Sequence, residues 1–251
     1  QGMNDKIINH FISEYYLRNL EKSMINSNVA TRKGKGTKLG VTLLKKYLNE
    51  LKNKNFYILK CDIEKYFYSI SHRKLKEMLE KRYKDCDILV LLNQVIDSFN
   101  HSYVKEYCKK NNFYYKNGYG LPIGNMTSQI FAIYYLNGLD HYIKEVLRIK
   151  YYLRYMDDFI LIHENREYLM FCLTQIKKYL SSLELSLNHK TCMIPKREGL
   201  SFLGYRFEIK SNQVVVSMSN QNKRRVRKHG KKKYLGYIKI IDKKKYKRWK
   251  K

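Results

Sequence analysis

The sequence predicts a single α+β domain, and three observations carry that expectation. Helix-like and strand-like segments alternate along the chain without the regular strand–helix–strand rhythm of a parallel sheet. Hydrophobic residues make up 44% of the 251, enough for a sizeable core, so a globally disordered chain is excluded. With two prolines and no internal repeat, no linker divides the chain.

The elements follow in order. Ile7, Ile8, Phe11, Ile12, Tyr15 and Leu20 recur at roughly helical spacing, predicting an amphipathic helix over residues 3–28. A basic, glycine-containing loop follows (Thr31–Lys38), then a helix over 39–51 with Leu44, Tyr47, Leu48 and Leu51 on one face. The run FYILKC (Phe56–Cys61) reads as a strand ending at Asp62. Residues 71–83 read as a helix capped by Ser71, and 88–99 as another. The polar, aromatic, turn-rich stretch 100–120 predicts a loop or hairpin. Leu121–Gly124 then leads into a helix that runs to about Val146. Tyr151–Tyr155 and Phe159–His163 are two short strands of a hairpin, and 167–183 is helical. Further strands are expected at 185–187, 201–209 and 214–216, with basic helix or tail beyond Ser217.

Charge is the strongest compositional signal. Lys and Arg number 51 against 22 acids, a net +29, which points to a polyanionic partner. Some of this lysine-rich bias fits an AT-rich genome, but its distribution is uneven: residues 223–251 carry 16 basic residues against Asp242 alone. No apolar run approaches a membrane span, the best being Ile88–Leu92 and Ile130–Leu136, and Asp5, Lys6 and His10 interrupt any leader-like start. Five dispersed cysteines form no CxxC pair, so neither a zinc framework nor disulfides are expected. Together these predict a cytoplasmic protein with no membrane partner.

Chemistry concentrates in three acids. Asp157-Asp158 sit between YYLRY and FILIH, strands too apolar for a surface hairpin, so the two charges lie against a buried sheet and call for a cation. With 24 Tyr and nine Asp in the chain, a Tyr-x-Asp-Asp string arises by chance about 0.03 times. Asp62 closes a neighbouring strand; alone it reads more readily as a helix cap or turn residue, but beside the hairpin that preference reverses and it supplies a third carboxylate. Such oxygens suit Mg²⁺, and two ions held this way could activate a 3′-hydroxyl and stabilise a leaving pyrophosphate.

At these residues the sequence resembles the reverse transcriptases, RNA-directed DNA polymerases with a right-hand fold of fingers, palm and thumb. CDIEKYF, LPIGNMTSQIFA, YMDD, LNHKT and FLGY match the family's five palm motifs in order, covering roughly 30–210. The resemblance implies that Asp62, Asp157 and Asp158, with the carbonyl of Ile63, hold two Mg²⁺ ions, Mn²⁺ being able to substitute, while Glu64 is a surface residue. It implies that Phe67 is the ring that excludes a nucleotide 2′-OH, although a core role fits the same residue. Lys190 matches the lysine that protonates pyrophosphate, with His189 beside it merely exposed. Phe202, Leu203, Gly204 and Tyr205 match the primer grip. Gly124 would lie close to the incoming base, and Gln129 would bond template or nucleotide unless it only faces solvent. Arg32, Lys33, Lys35 and Lys38 fall in the fingers, where cations hold the triphosphate. Residues 1–55 then form the N-terminal helix and fingers, 56–216 the palm with a fingers insertion around 75–120, and 217–251 a short thumb. In that thumb Lys223, Arg224, Arg225, Arg227 and Lys228 would track phosphates, and Val226, Tyr234, Leu235, Tyr237, Ile238, Ile240 and Trp249 would supply an apolar stripe.

Within the family, Ile123 stands where many members carry Gln, and IGNMTSQ looks like the enzymes of diversity-generating retroelements, which miscopy adenines. That subtype implies a bacterial or phage source, a template RNA with its primer and cDNA, dNTPs, and a small basic accessory protein. An antiphage-defence or orphan reverse transcriptase shares enough of these features to remain open, as does a non-catalytic RNA-binding scaffold. No RNase H or endonuclease module is expected within these residues.

Overall fold

Every second residue of the central strand faces a different layer, and this alternation organises the molecule. The structure, a computed structural model, describes residues 3–111 and 114–229. Strand β1 (Tyr57–Asp62) is flanked by β3 (Asp158–His163) and β4 (Cys192–Pro195), with β2 (Tyr151–Tyr155) beyond β3, all antiparallel in the order β2-β3-β1-β4. Leu59, Cys61, Phe159 and Leu161 point into one hydrophobic cluster. Ile58, Ile160 and Ile162 point into a second one on the opposite face. With both faces covered, the strands read as nearly continuous apolar runs.

The first face is covered by helices. Helix α1 (Met3–Tyr15) leads in, followed by a 3₁₀ turn over Leu17–Ser23, and Thr127 Oγ1 donates to Asn9 Oδ1 at 2.7 Å to dock α1 on helix α7 (Met126–Tyr135). On this side lie α4 (His72–Arg82), α5 (Cys86–Asp97), α7 (Met126–Tyr135), α8 (Asn137–His141) and α9 (Arg166–Ser182). Ser71 Oγ caps α4 by accepting from Lys74 N, as the sequence predicts. The second face is covered by α2 (Thr37–Leu51) and a three-stranded sheet of β5 (Leu200–Phe202), β6 (Tyr205–Lys210) and β7 (Gln213–Met218). Helix α10 (Asn220–His229) follows β7, with Asn222 and Val226 buried.

Several expectations are corrected by tertiary pairing. The helix expected over 3–28 stops at Tyr15, because residues 27–29 are drawn onto the edge of β2: Arg154 N donates to Ser27 O and Val29 N to Arg154 O, each at 3.0 Å. The loop expected over 100–120 contains a helix, α6 (Ser102–Lys110), whose exposed tyrosines at 103 and 107 hide its periodicity. Residues 185–187 make one bridge, Ile63 to Leu187, and the strand there is β4 instead. The strand expected over 201–209 is a hairpin turning at Leu203-Gly204, and the helix expected to Val146 is segmented, closing in a π turn over Tyr142–Val146. All five cysteines are free, and among the described residues no helix is long and apolar enough to cross a membrane. The stripe Tyr234, Leu235, Tyr237, Ile238, Ile240 and Trp249 lies outside the described residues.

Gly40 of α2 faces the β5–β6 turn so closely that a Cβ would lie 2.5 Å from Leu203 Cδ1 and 3.2 Å from Val29 Cγ2. A valine at this position must displace that turn. Gly40→Val is expected to cost about 1–3 kcal/mol, read as a lower urea midpoint. Gly40→Ala should cost less, since alanine recovers up to about 1 kcal/mol of helix propensity.

Candidate active site

Strand register brings the acids together. Asp62, the last residue of β1, lies directly across from Asp158, the first of β3, while Tyr155 pairs with Asp158 across the hairpin. Met156 and Asp157 form the two-residue turn, with Met156 in the left-handed region at φ +57°. Such a conformation costs a side-chain-bearing residue of order 1–3 kcal/mol and persists only where its surroundings enforce it. Here they do: Arg154 Nη1 donates to Met156 O at 2.9 Å.

Arg154 is fully buried and held by an equally buried Asp140: Nε donates to Oδ1 at 2.7 Å and Nη2 to Oδ2 at 2.6 Å. Nη2 also reaches Ile133 O at 2.9 Å, and Tyr152 OH donates to Asp140 Oδ1 at 2.7 Å. A bidentate pair with its remaining protons satisfied is the geometry in which a buried charge is tolerated. The sequence reasoning missed both partners. An arginine inside the apolar run YYLRY was the available signal, because it demands a buried acid.

Asp62 is clamped by the segment after α9. Asn188 N donates to Asp62 O at 2.7 Å, Asp62 N to Thr191 Oγ1 at 3.4 Å, and Glu64 N to Ser186 O at 2.9 Å. Neither of the two bonds that flank Ile63 engages its carbonyl. The motif LNHKT contains Asn188 and Thr191 but does not reveal their hold on Asp62, since nothing local marks a residue that positions a strand 129 residues away. Lys190 and His189 between them are exposed, as is Glu64.

The acids feel one another. Burial first, then the charges of Asp62 and Asp157, push the Asp158 carboxyl up to about 7, with Lys60 opposing at 3.7 Å. Asp157 is likewise raised, mainly by burial and further by Asp62. Asp158 Oδ1 is buried without a hydrogen-bond partner. An orphaned carboxylate oxygen beside two further acids fits a hard divalent cation, which prefers oxygen donors. The cage is not preformed: among the described residues no three His, Cys, Asp or Glu side chains stand in a metal-holding arrangement, as expected of carboxylates that repel.

The surrounding expected residues distribute as follows. Helix α3 (Tyr66–Ser69) carries half-buried Phe67, whose carbonyl accepts from Leu121 N at 2.8 Å, so the backbone that carries the ring is tied to the start of the LPIG segment. Ile123 is 64% exposed beside Gly124 at φ +101°, while Gln129 is half-buried on α7. Phe202 and Tyr205 are buried, and the turn between them has positive φ at both Leu203 and Gly204, the signature of a type I′ hairpin. Gly204 O is held by Ser219 N at 3.0 Å and Asn222 Nδ2 at 3.1 Å. A groove of about 780 Å³ runs from Lys60 and Asp158 past Phe202–Gly204 to Lys223. Arg224, Arg225, Arg227 and Lys228 are exposed on α10.

Arg32 is placed differently from the expectation. Its Nη1 donates to Ile25 O at 2.7 Å and Asn28 O at 3.0 Å, and its Nη2 to Glu21 O at 3.0 Å and Met24 O at 3.4 Å. Its guanidinium staples the loop to the core through these four carbonyls. A half-buried Lys35 reaches Asn26 Oδ1 at 3.3 Å, and Lys33 and Lys38 are exposed.

Comparison with known proteins gives one family and one fold. The family model for reverse transcriptase (RNA-dependent DNA polymerase) matches residues 2–207. No curated protein matches. Among solved structures, apo telomerase from Candida tropicalis, truncated from its C-terminal domain, matches at TM-score 0.54 and 18% identity, covering 85% of this chain and 45% of that one. Telomerase from Candida albicans in complex with the TWJ fragment of telomeric RNA matches at TM-score 0.51 and 14% identity, covering 87% and 37%. At these identities the likeness is one of fold, and the chain spans less than half of either structure.

Because Asp140 compensates Arg154 in a site without water access, removing it strands a charge. Asp140→Ala is expected to destabilise by about 3–5 kcal/mol in urea unfolding, while the double change with Arg154→Met recovers much of that loss. Activity should not return with stability, because Met156 O loses its donor.

Proposed function

The chain belongs to the reverse transcriptase (RNA-dependent DNA polymerase) family, and from that premise we propose that it extends a primer 3′ end with deoxynucleotides on an RNA template. The observation that carries this reading is the register of Asp62 against Asp158 with Asp157 at the adjoining turn, at the head of a groove lined by the β5–β6 turn. Asp62, Asp157, Asp158 and the Ile63 carbonyl would hold two Mg²⁺, or Mn²⁺ in their place. When bound, such ions lower the pKa of the attacking hydroxyl and neutralise charge on the phosphates.

The remaining roles fall to this chain's own groups. Phe202–Tyr205 seat the primer end, so that its 3′-oxygen attacks the α-phosphate; the new O–P bond forms as the bond to pyrophosphate breaks. Lys33, Lys35 and Lys38 hold the triphosphate, and exposed Lys190 returns a proton to the leaving pyrophosphate. Phe67 excludes a 2′-OH. The cations of α10 track duplex phosphates. We assign residues 1–55 to the N-terminal helix and fingers, 56–216 to the palm with a fingers insertion around 75–120, and 217–251 to the thumb. That a Candida albicans telomerase of this fold is in complex with a fragment of telomeric RNA supports RNA as a partner here.

A finer reading rests on Ile123. An apolar side chain at 64% exposure, beside the turn glycine Gly124, cannot offer a base the hydrogen bonds of glutamine. We place the enzyme with the error-prone polymerases of diversity-generating retroelements, which work with a small basic accessory protein.

Primer extension on an RNA template tests these readings. The wild-type chain should use dNTPs and reject rNTPs, and Asp157→Ala should lower extension by about 10³-fold, the equivalent of about 4 kcal/mol. Phe67→Ala should relax sugar discrimination by about 10–100-fold. Tight RNA binding with no extension under any condition would leave only a scaffold. For the subtype, Ile123→Gln should reduce misincorporation opposite template adenine by about tenfold; an unchanged error rate removes that placement.

A further inference from the structure

Lys60 reaches from Asp158, one of the proposed metal-binding acids, to the backbone that leads into the proposed primer seat. It lies on the same face of β1 as Asp62, two residues before it, between the apolar Ile58 and the acids. Its Nζ stands 3.7 Å from Asp158 Oδ2 and 3.3 Å from the carbonyl of Ser201, the residue just before the Phe202–Tyr205 turn. The side chain is 27% exposed and lines two neighbouring grooves, one running past the turn to Lys223, the other along Lys190, Cys192 and Arg206. Facing it are the cations Lys190, Arg206 and Lys223 and the acids Asp158, Glu198 and Glu208. Arg206 is tied to the carbonyls of Glu198 and Gly199. Lysine suits this position because it is a compact charge on a flexible stem, able to change partners without rebuilding a fork of hydrogen bonds.

We propose that Lys60 is a positioning residue for the primer: it balances Asp158 in the metal-free protein and, once divalent ions take over that carboxylate, moves its charge to the primer's terminal phosphodiester. The inference rests on the metal and primer roles assigned above. It follows from geometry: a loose ion pair on a part-exposed lysine is easily exchanged, and a polyanion entering the groove passes within reach of the same ammonium group. A cation displaced toward open solvent would gain nothing, whereas one displaced toward a phosphate keeps a counter-charge.

The test uses the full chain with a labelled primer on an RNA template, comparing wild type with Lys60→Met and Lys60→Arg. In Ca²⁺, the slope of log Kd against log salt should be smaller for Lys60→Met by about one unit, the signature of one lost phosphate contact, and restored by Lys60→Arg. In EDTA the wild-type and Met slopes should coincide, because Lys60 is then held by Asp158. In Mg²⁺-dependent extension, Lys60→Met should raise the primer KM about tenfold while lowering the half-saturating Mg²⁺ about threefold, opposite changes that a merely structural role would not produce. Equal slopes in Ca²⁺, or a fall in kcat with an unchanged primer KM, overturns the proposal. Absence of extension by the wild-type protein instead defeats the polymerase reading, and the Ca²⁺ slopes still decide the phosphate contact.

Discussion

Like charges set directly across an antiparallel pair repel, yet Asp62 and Asp158 occupy that arrangement at the end of the central sheet. Burial adds to the cost, and the raised Asp158 carboxyl reports both effects. A corner of this kind survives only if the rest of the molecule leaves the strands no alternative register. The alternating apolar residues of β1 and β3 do this, because a slip by one residue would exchange every side chain between two separate hydrophobic clusters.

Around that corner the fold applies restraints from distant parts of the chain. The Arg154–Asp140 pair, buried beneath the sheet, holds the carbonyl of the turn that carries Asp157. Asn188 and Thr191 hold the backbone of Asp62 from the other side. The β5–β6 turn is held in its place by Leu203 against Gly40 and by Gly204 O against Ser219 and Asn222. None of these contacts belongs to a single element. The geometry of the site therefore depends on the packing of α2, the two sheets and α10 together.

Part of this was legible along the chain. The strand FYILKC, the hairpin around Met156-Asp157-Asp158, the Ser71 cap and the helices over 37–51 and 166–182 follow local rules of alternation, helical period and capping, and the structure has them close to where those rules put them. The exposure of Glu64 and His189 and the burial of Val226 on α10 also agree with the pattern of charge and apolar residues. Where expectation failed, a partner far away had overridden a local preference. Residues 27–29 left a helical pattern to pair with β2, and β4 formed beside β1 from a short polar-flanked run ending in proline.

By itself the sequence determined the alternation that builds a two-faced sheet, the acidic tip between apolar strands, and the family, because each is written in neighbouring residues and repeats at the period of its backbone. Only the tertiary structure decided that Arg32 turns inward to four carbonyls, that Arg154 finds Asp140, and that Lys60 lies between Asp158 and Ser201. Those outcomes depend on which long side chain reaches which partner once the layers have packed. A choice among partners dozens of residues apart leaves no mark on local spacing.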